Sequence, residues 1–365
     1  MFYDNAGLEY IIISIVFSLL FAFLSNTFRR ATSNMHSRID LSRFFMIMSY
    51  LCIWIVPAIR FNVGIDNDNY LMQYQNIRQF SDIVHYYEPG FGLLNYICYI
   101  LFDNYVAVTC ISSLITGAFF WKSIYRDAWG FPLCIFALLA VNLYFMSFTV
   151  IRQFIAISIL TLSIPHIMER NFKRFCLIIG IATCFHYTAI VFLVMYFIYS
   201  DSLTLFTWKN ICAIILFMIL LINIDVVFPF ISKNASRLRE GYTEYEGINV
   251  TKRIIEVVVY FPVLLYVLIF KNRLIALNKI NSVYIIMTFI LIASKIIGLY
   301  APALSRIHYY FLFCIPILFS YAPRVVNKSI KPLFLSCIYI YISLSLLNIF
   351  EYQSQDFLPY RTIFE

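Results

Sequence analysis

Apolar runs of roughly 16–21 residues, near the length that crosses bilayer hydrocarbon, recur along the whole chain. They fall at 8–25, 43–60, 105–121, 131–148, 150–165, 210–230, 254–270, 282–300, 307–322 and 333–350. A soluble core has no room for so many such runs. With 62% hydrophobic and 13% charged residues among 365, the chain sits in the polytopic membrane class. In lipid every backbone polar group must be satisfied within the chain, so consecutive apolar runs of this length predict helices. The expected fold is an all-α polytopic integral membrane protein with about 10–12 transmembrane helices. No repeat or soluble segment interrupts it, so residues 1–365 read as a single transmembrane domain. Leu8–Leu24 has no basic flank before it and Arg29-Arg30 after it, which reads as a span and not as a cleavable signal.

Charge orients the helices. Basic connections lie at 26–43 (Arg29, Arg30, Arg38, Arg43), 122–127 (Lys122, Arg126), 170–174 (Arg170, Lys173, Arg174), 271–279 (Lys271, Arg273, Lys279) and 324–331 (Arg324, Lys328, Lys331). The positive-inside rule assigns these to the cytoplasm and both termini to the outside. Parity then makes two demands. Residues 91–121 cross only once, which places 91–102 in the outer interface, with a break at Asp103-Asn104. Residues 175–199 make no net crossing if Lys209 is also inside, which predicts a re-entrant pair of half-helices with Phe185-His186-Tyr187 at the apex. The alternative is one long span without reversal.

Two polar loops then face outward, 61–90 and 231–253. The first opens Arg60-Phe61-Asn62-Val63-Gly64-Ile65-Asp66-Asn67-Asp68-Asn69-Tyr70 and ends at Glu88-Pro89-Gly90-Phe91. The second carries Arg237 and Arg239, basic charge on the side that usually lacks it, which suits an anionic ligand or lipid headgroups. More cations enter the spans: Arg152 in Ile151-Arg152-Gln153, Lys295 beside Ser294, and Arg306 after Pro302. Guanidinium forks match phosphate oxygens, and Arg at a helix end also snorkels to headgroups. His186, in an apolar run, suits either a hydrogen-bonded packing role or proton transfer. Glu88, just before Pro89, suits a helix cap as well as catalysis.

Several chemistries are excluded. The nine Cys sit in apolar segments without CxxC spacing, and His36, His85, His166 and His308 form no metal-ligand pattern with His186. Asp66-Asn67-Asp68-Asn69 opens like an EF-hand, but Leu71 and Ile77 stand where its Gly and bidentate Glu belong. A divalent cation at Asp66/Asp68 is therefore not favoured, and no cofactor is expected. No Gly-rich phosphate loop or hydrolase motif appears, and nothing supports nucleic-acid binding.

Taken in order, Arg60-x-x-x-Gly64-x-Asp66-x-x-x-Tyr70, Glu88-Pro89-Gly90-Phe91, Ile151-Arg152-Gln153-x-x-Ala156 and Phe185-His186 resemble the EpsG and Wzy (O-antigen polymerase) kind of polysaccharide polymerase. Arg306 adds weaker support, and the paired Arg-to-Gly spacing of some Wzy loops is only approximated at Arg78 and Gly90. The resemblance implies a GT-C-like helical bundle in a bacterial inner membrane. There it would move a growing glycan from undecaprenyl pyrophosphate to the non-reducing end of a new lipid-linked repeat unit, at the periplasmic face. A chain-length regulator and a flippase are the implied partners. Arg152, Glu88, His186 and Asp66 are the expected catalytic residues. Arg60, Arg306, Lys295, Tyr70, Gln153, Arg237 and Arg239 are expected to hold pyrophosphate and glycan. Two other classes fit the same outward polar residues, a ligase that moves finished polymer to lipid A core and a non-enzymatic flippase. A flippase should show internal repeats, and none is visible.

Overall fold

A computed structural model describes residues 7–31, 40–85, 88–199, 257–300, 302–352 and 357–364. Among them the chain is helical, with one isolated β-bridge between Arg60 and Thr362. Five helices are long and apolar enough to cross a membrane, and these define a multi-pass membrane protein. They are α1 (Leu8–Ala31), α2 (Leu41–Ala58), α5 (Tyr105–Asp127), α13 (Asn281–Tyr300) and α16 (Lys331–Tyr352). Shorter helices fill the intervals: α3 (Asn67–Gln75), α4 (Pro89–Phe102), α6 (Phe131–Ala140), α7 (Met146–Thr149), α8 (Ile151–Thr161), α9 (Ile164–Met168), α10 (Phe172–Phe185), α11 (Val194–Ile198), α12 (Phe261–Leu277), α14 (Cys314–Ser320) and α15 (Ala322–Val325). The chain divides into two compact units. One comprises 1–163, 177–190 and 316–365; the other comprises 164–176 and 191–315.

In the first unit, small polar side chains let helices approach closely. Ser18 and Ser49 hydroxyls meet at 3.0 Å, and Ser25 donates to the Ser42 carbonyl at 2.6 Å, joining α1 to α2. Trp54 lies against Gly117, where a methyl group would sit 2.4 Å from the indole, and packs on Phe120, Trp121 and Tyr144. The outer face of α1 shows Ile13, Val16, Leu20 and Phe23, an apolar surface suited to lipid.

The two ends of this unit differ in chemistry. At one end, Arg29 donates to the Ala128 carbonyl at 3.0 Å and lies over Phe131 and Tyr125. Arg43 lies over the same Tyr125, Arg126 pairs with Asp127 at 2.6 Å, and Arg324 covers Trp129. Three of the predicted basic connections, 26–43, 122–127 and 324–331, therefore share one end. At the other end the terminal segments meet the root of the first polar loop. Phe61 N–H donates to Arg361 O at 2.9 Å, Ile363 N–H to Ile59 O at 3.0 Å, and the Tyr360 hydroxyl to Val56 O at 2.8 Å. Gly7 turns with φ +78° against the Tyr360 carbonyl. Both described termini thus lie at the end opposite the basic cluster.

Three expected spans are broken. Residues 131–148 do not form one helix: α6 ends at Ala140, Asn142 adopts φ +62°, and a buried turn leads through α7 to α8. Phe131 stacks on Tyr125 at the basic end, while Thr161 bonds Ser123 at 2.8 Å and accepts from Arg126 at 3.1 Å at the same end. Residues 131–161 therefore rise and return, because helices of ten and eleven residues climb only about 15 Å each. The two expected crossings at 131–148 and 150–165 become one hairpin with no net crossing, so parity is unchanged. Likewise 307–322 is a 3-10 segment, Pro302–Tyr310, followed by the short α14. The run expected at 254–270 is helical over Phe261–Leu277, because Pro262 suits a first helical turn. The run at 210–230 lies outside the described residues.

The reversal predicted for 175–199 is present. α10 stops at Phe185, His186 breaks the helix, and a 3-10 turn (Tyr187–Leu193) leads into α11. Its two ends are tied together. Arg170 donates to the Tyr196 carbonyl at 2.9 Å and to the Tyr199 carbonyl, and the Tyr196 hydroxyl returns a 2.7 Å bond to Arg170 O. Phe172 and Phe175 pack on Tyr196, which a single long span would not allow. The predicted break at Asp103-Asn104 is also present. Asp103 takes φ +44° as the C-cap of α4, and Asn104 caps α5 by accepting from Val106 N at 2.9 Å.

In a cysteine-free background, Arg361→Cys should react with an impermeant maleimide in intact cells and Lys328→Cys only after permeabilisation. Both side chains are exposed, at opposite ends of the first unit. Labelling of both in intact cells, or the reverse pattern, would refute the orientation.

Candidate active site

Three pieces of the first unit, distant in sequence, meet at Glu88. The loop that ends at Glu88 delivers it to the start of α4, the first turn of α8 presents Arg152, and the segment 177–190 presents His186. Glu88 Oε1 lies 2.5 Å from His186 Nδ1, and Oε2 lies 2.6 Å from Arg152 Nη1. The carboxylate makes no side-chain cap to α4; Pro89 opens that helix while the Glu88 carbonyl accepts from Phe91 and Gly92. Its side chain is 7% exposed, against 30% for Arg152 and 24% for His186. The acid is sealed in, and each of its partners keeps an open side.

Two glycines make the meeting sterically feasible. A Cβ on Gly90 would sit 2.9 Å from the Cys184 carbonyl, so only glycine lets the hairpin tip approach the start of α4. Gly64 holds φ +103°, and a Cβ there would lie 2.8 Å from the Phe148 carbonyl, just ahead of Arg152. Tyr70, 2% exposed, packs edge-on to Phe91 at 5.6 Å and lies beneath the Arg152 guanidinium, 5.5 Å from the ring centroid. Asp66 adds its charge near Arg152 without capping α3 by its side chain.

Burial alone would raise the Glu88 pKa. The facing His186 and Arg152, with the Tyr187 backbone N–H, outweigh it and hold the carboxyl below its ordinary value of 4.5. Burial pushes the Tyr70 phenol up, opposed by Arg152.

The site is sunk. Thr161 is held level with Ser123, one turn from the basic end of α5. At 1.5 Å per residue, the climb along α8 puts Arg152 about 20 Å from that end. Arg60 bonds Ser113 at 2.8 Å, which by the same measure along α5 is also about 20 Å up.

The other expected residues are placed as follows. Arg60 is 2% exposed; it donates to the Pro57 carbonyl and Ser113, and lies over Phe148. In this structure it braces the loop root and faces no open surface. Gln153 is buried beside Arg152. Lys295, over Tyr260 at 5.8 Å, and the exposed Arg306 belong to the second unit. Arg237 and Arg239 lie outside the described residues. No group of three or more His, Cys, Asp or Glu able to hold a metal occurs among the described residues, and Asp68 is exposed. Sequence reasoning missed Ser113 and the Phe148–Thr149 turn. Both are ordinary residues in apolar runs, and nothing local marks them.

An all-α, multi-pass membrane protein with a sealed carboxylate joining an arginine to a histidine below a polar loop is the class defined here. The chain belongs to the EpsG family, which it matches over residues 43–362, nearly its whole length. It is thus a polysaccharide polymerase-like membrane protein of glycosyltransferase-like type. No curated protein and no solved structure matches it.

Gly90→Ala should force the hairpin tip off α4, lowering stability by about 1–3 kcal/mol in detergent unfolding. Gly180→Ala, on the same hairpin with nothing within 4 Å of the new methyl, should not destabilise. Equal effects would refute the close-approach argument. Because the Glu88 pKa is depressed on folding, its stabilisation is complete above the ordinary value of 4.5 and is lost as pH falls through the lower folded value. The stability margin of wild type over Glu88→Gln should therefore persist at neutral and mildly acidic pH and close only in stronger acid. A margin already lost at pH about 6 would contradict that sign.

Proposed function

We propose that the protein is a surface-polysaccharide polymerase. It takes a growing glycan from undecaprenyl pyrophosphate and joins it to the non-reducing end of a new lipid-linked repeat unit on the outer, periplasmic side of the inner membrane. The observation that carries this is Glu88 bound at once to His186 and Arg152. Hydrogen-bonded through Nδ1 to the carboxylate, the imidazole has its tautomer fixed and offers Nε2 as a base. The acceptor hydroxyl gives its proton to that nitrogen as its oxygen bonds the anomeric carbon of the donor. The bond from that carbon to the pyrophosphate oxygen breaks, and pyrophosphate leaves with the electron pair. Attack from the face opposite the leaving group inverts the anomeric centre.

Arg152 is the group that meets the departing charge. Its fork has one nitrogen on Glu88 while the side chain stays 30% exposed, in surroundings of low dielectric where a guanidinium stabilises phosphate oxygens strongly. Asp66 and Tyr70 shape that cation's surroundings. Arg60 braces the loop that carries them. Pyrophosphate is a good leaving group, so the mechanism calls for no nucleotide and no metal. The outward orientation is supported by the basic cluster at the opposite end of the same unit.

The test is a gel of surface polysaccharide from cells lacking the protein, complemented with wild type, Arg152→Ala or His186→Ala. Wild type should restore the ladder, and each variant, at equal protein level, should cut polymer by at least about a hundredfold and leave single-repeat material. Normal ladders from both variants would sink the mechanism. Polymer stranded on the lipid carrier would point to a ligase, and loss of single-repeat product to a flippase.

A further inference from the structure

Glu88 has one negative charge and two partners that compete for it, on opposite oxygens and on different elements. We propose that anion binding at Arg152 and proton affinity at the Glu88–His186 pair are coupled through this shared carboxylate, so that a bound pyrophosphate raises the affinity of that pair for a proton. The proposal rests on the polymerase reading above and adds an order of events to it.

The geometry argues as follows. Arg152 commits Nη1 to Glu88, while its buried Nε has no hydrogen-bond partner and its guanidinium lies over Tyr70, 5.5 Å from the ring centroid. A phosphate that engages the rest of the fork draws the guanidinium charge toward itself and weakens its hold on Oε2. Glu88, sealed from water, then has His186 as its remaining partner, and a proton on the imidazole becomes more favourable. Linkage makes the effect reciprocal: a protonated pair releases Arg152 to the anion. The other groups around the carboxylate are the Tyr187 backbone N–H on the hairpin and, beside Arg152, Tyr70 and Asp66 from the loop. None of these offers Glu88 a second cation. With an empty site the carboxylate is divided between two partners; with donor present His186 holds the larger share of it.

The measurement is calorimetric titration of the full-length protein in detergent with inorganic pyrophosphate, near neutral pH, in two buffers of different ionisation enthalpy. Pyrophosphate exchanges protons itself, so the quantity read is the difference between wild type and His186→Gln. Wild type should take up more proton per pyrophosphate bound than His186→Gln. Glu88→Gln should lose that excess and yet bind pyrophosphate about tenfold more tightly, because Arg152 is released from its competitor. A Glu88 that merely supports the fold would weaken binding when replaced. Identical proton uptake by wild type and His186→Gln, or weaker binding by a folded Glu88→Gln, overturns the coupling. Where Glu88→Gln does not fold, the comparison of wild type with His186→Gln decides alone. Failure of wild type to bind pyrophosphate at all removes the donor site and the coupling together; binding without excess uptake removes only the coupling.

Discussion

A buried carboxylate with a basic side chain facing each oxygen is the interaction on which the first unit depends. Removing one partner from a buried ion pair costs about 3–5 kcal/mol, because the remaining charge has no water to turn to. Glu88 therefore holds the loop before α4, the first turn of α8 and the segment 177–190 to a single mutual geometry. Each element is short and would be poorly fixed alone. Glycines at 64 and 90 remove the two methyl groups that would keep them apart.

The same unit resolves a conflict between membrane and chemistry. Hydrocarbon demands continuous helices, whereas catalysis needs chain ends, turns and charge at depth. Full-length α1, α2 and α16 meet the first demand with lipid-facing apolar side chains. Inside them, half-length helices end in turns buried within protein, the setting in which irregular backbone is tolerated. Val141–Ile151 is buried nearly throughout and ends one residue before Arg152.

Much of this was legible in the sequence, because the strongest signals are physical necessities. Long apolar runs, the basic connections and the demand of parity gave the all-α fold, the common basic end and the reversal at His186. Glu88, Arg152, His186 and Tyr70 stood out as polar residues in an apolar chain, and the structure brings all four together. What stayed hidden depends on burial and on partners distant in sequence. Residues 131–165 look like two spans because a turn buried in protein is as apolar as a helix facing lipid. Arg60 looked like a ligand residue, since nothing local shows that Ser113 and the Pro57 carbonyl bind it. The cap role open to Glu88 is not the one its side chain takes, which only the position of His186 decides.

The strap formed by residues 357–363 has a consequence in time. Ile59 and Phe61, at the root of the loop that carries the acid, find their backbone partners in Ile363 and Arg361. About three hundred residues of chain must emerge from the ribosome between the two halves of that clasp, and non-local closures of this kind form late. Phe357, inserted between Phe145 and Phe350, seals the joint. A nascent chain with every long helix already inserted would still lack the clasp, so the order of synthesis itself keeps an incomplete copy from holding its first polar loop in place.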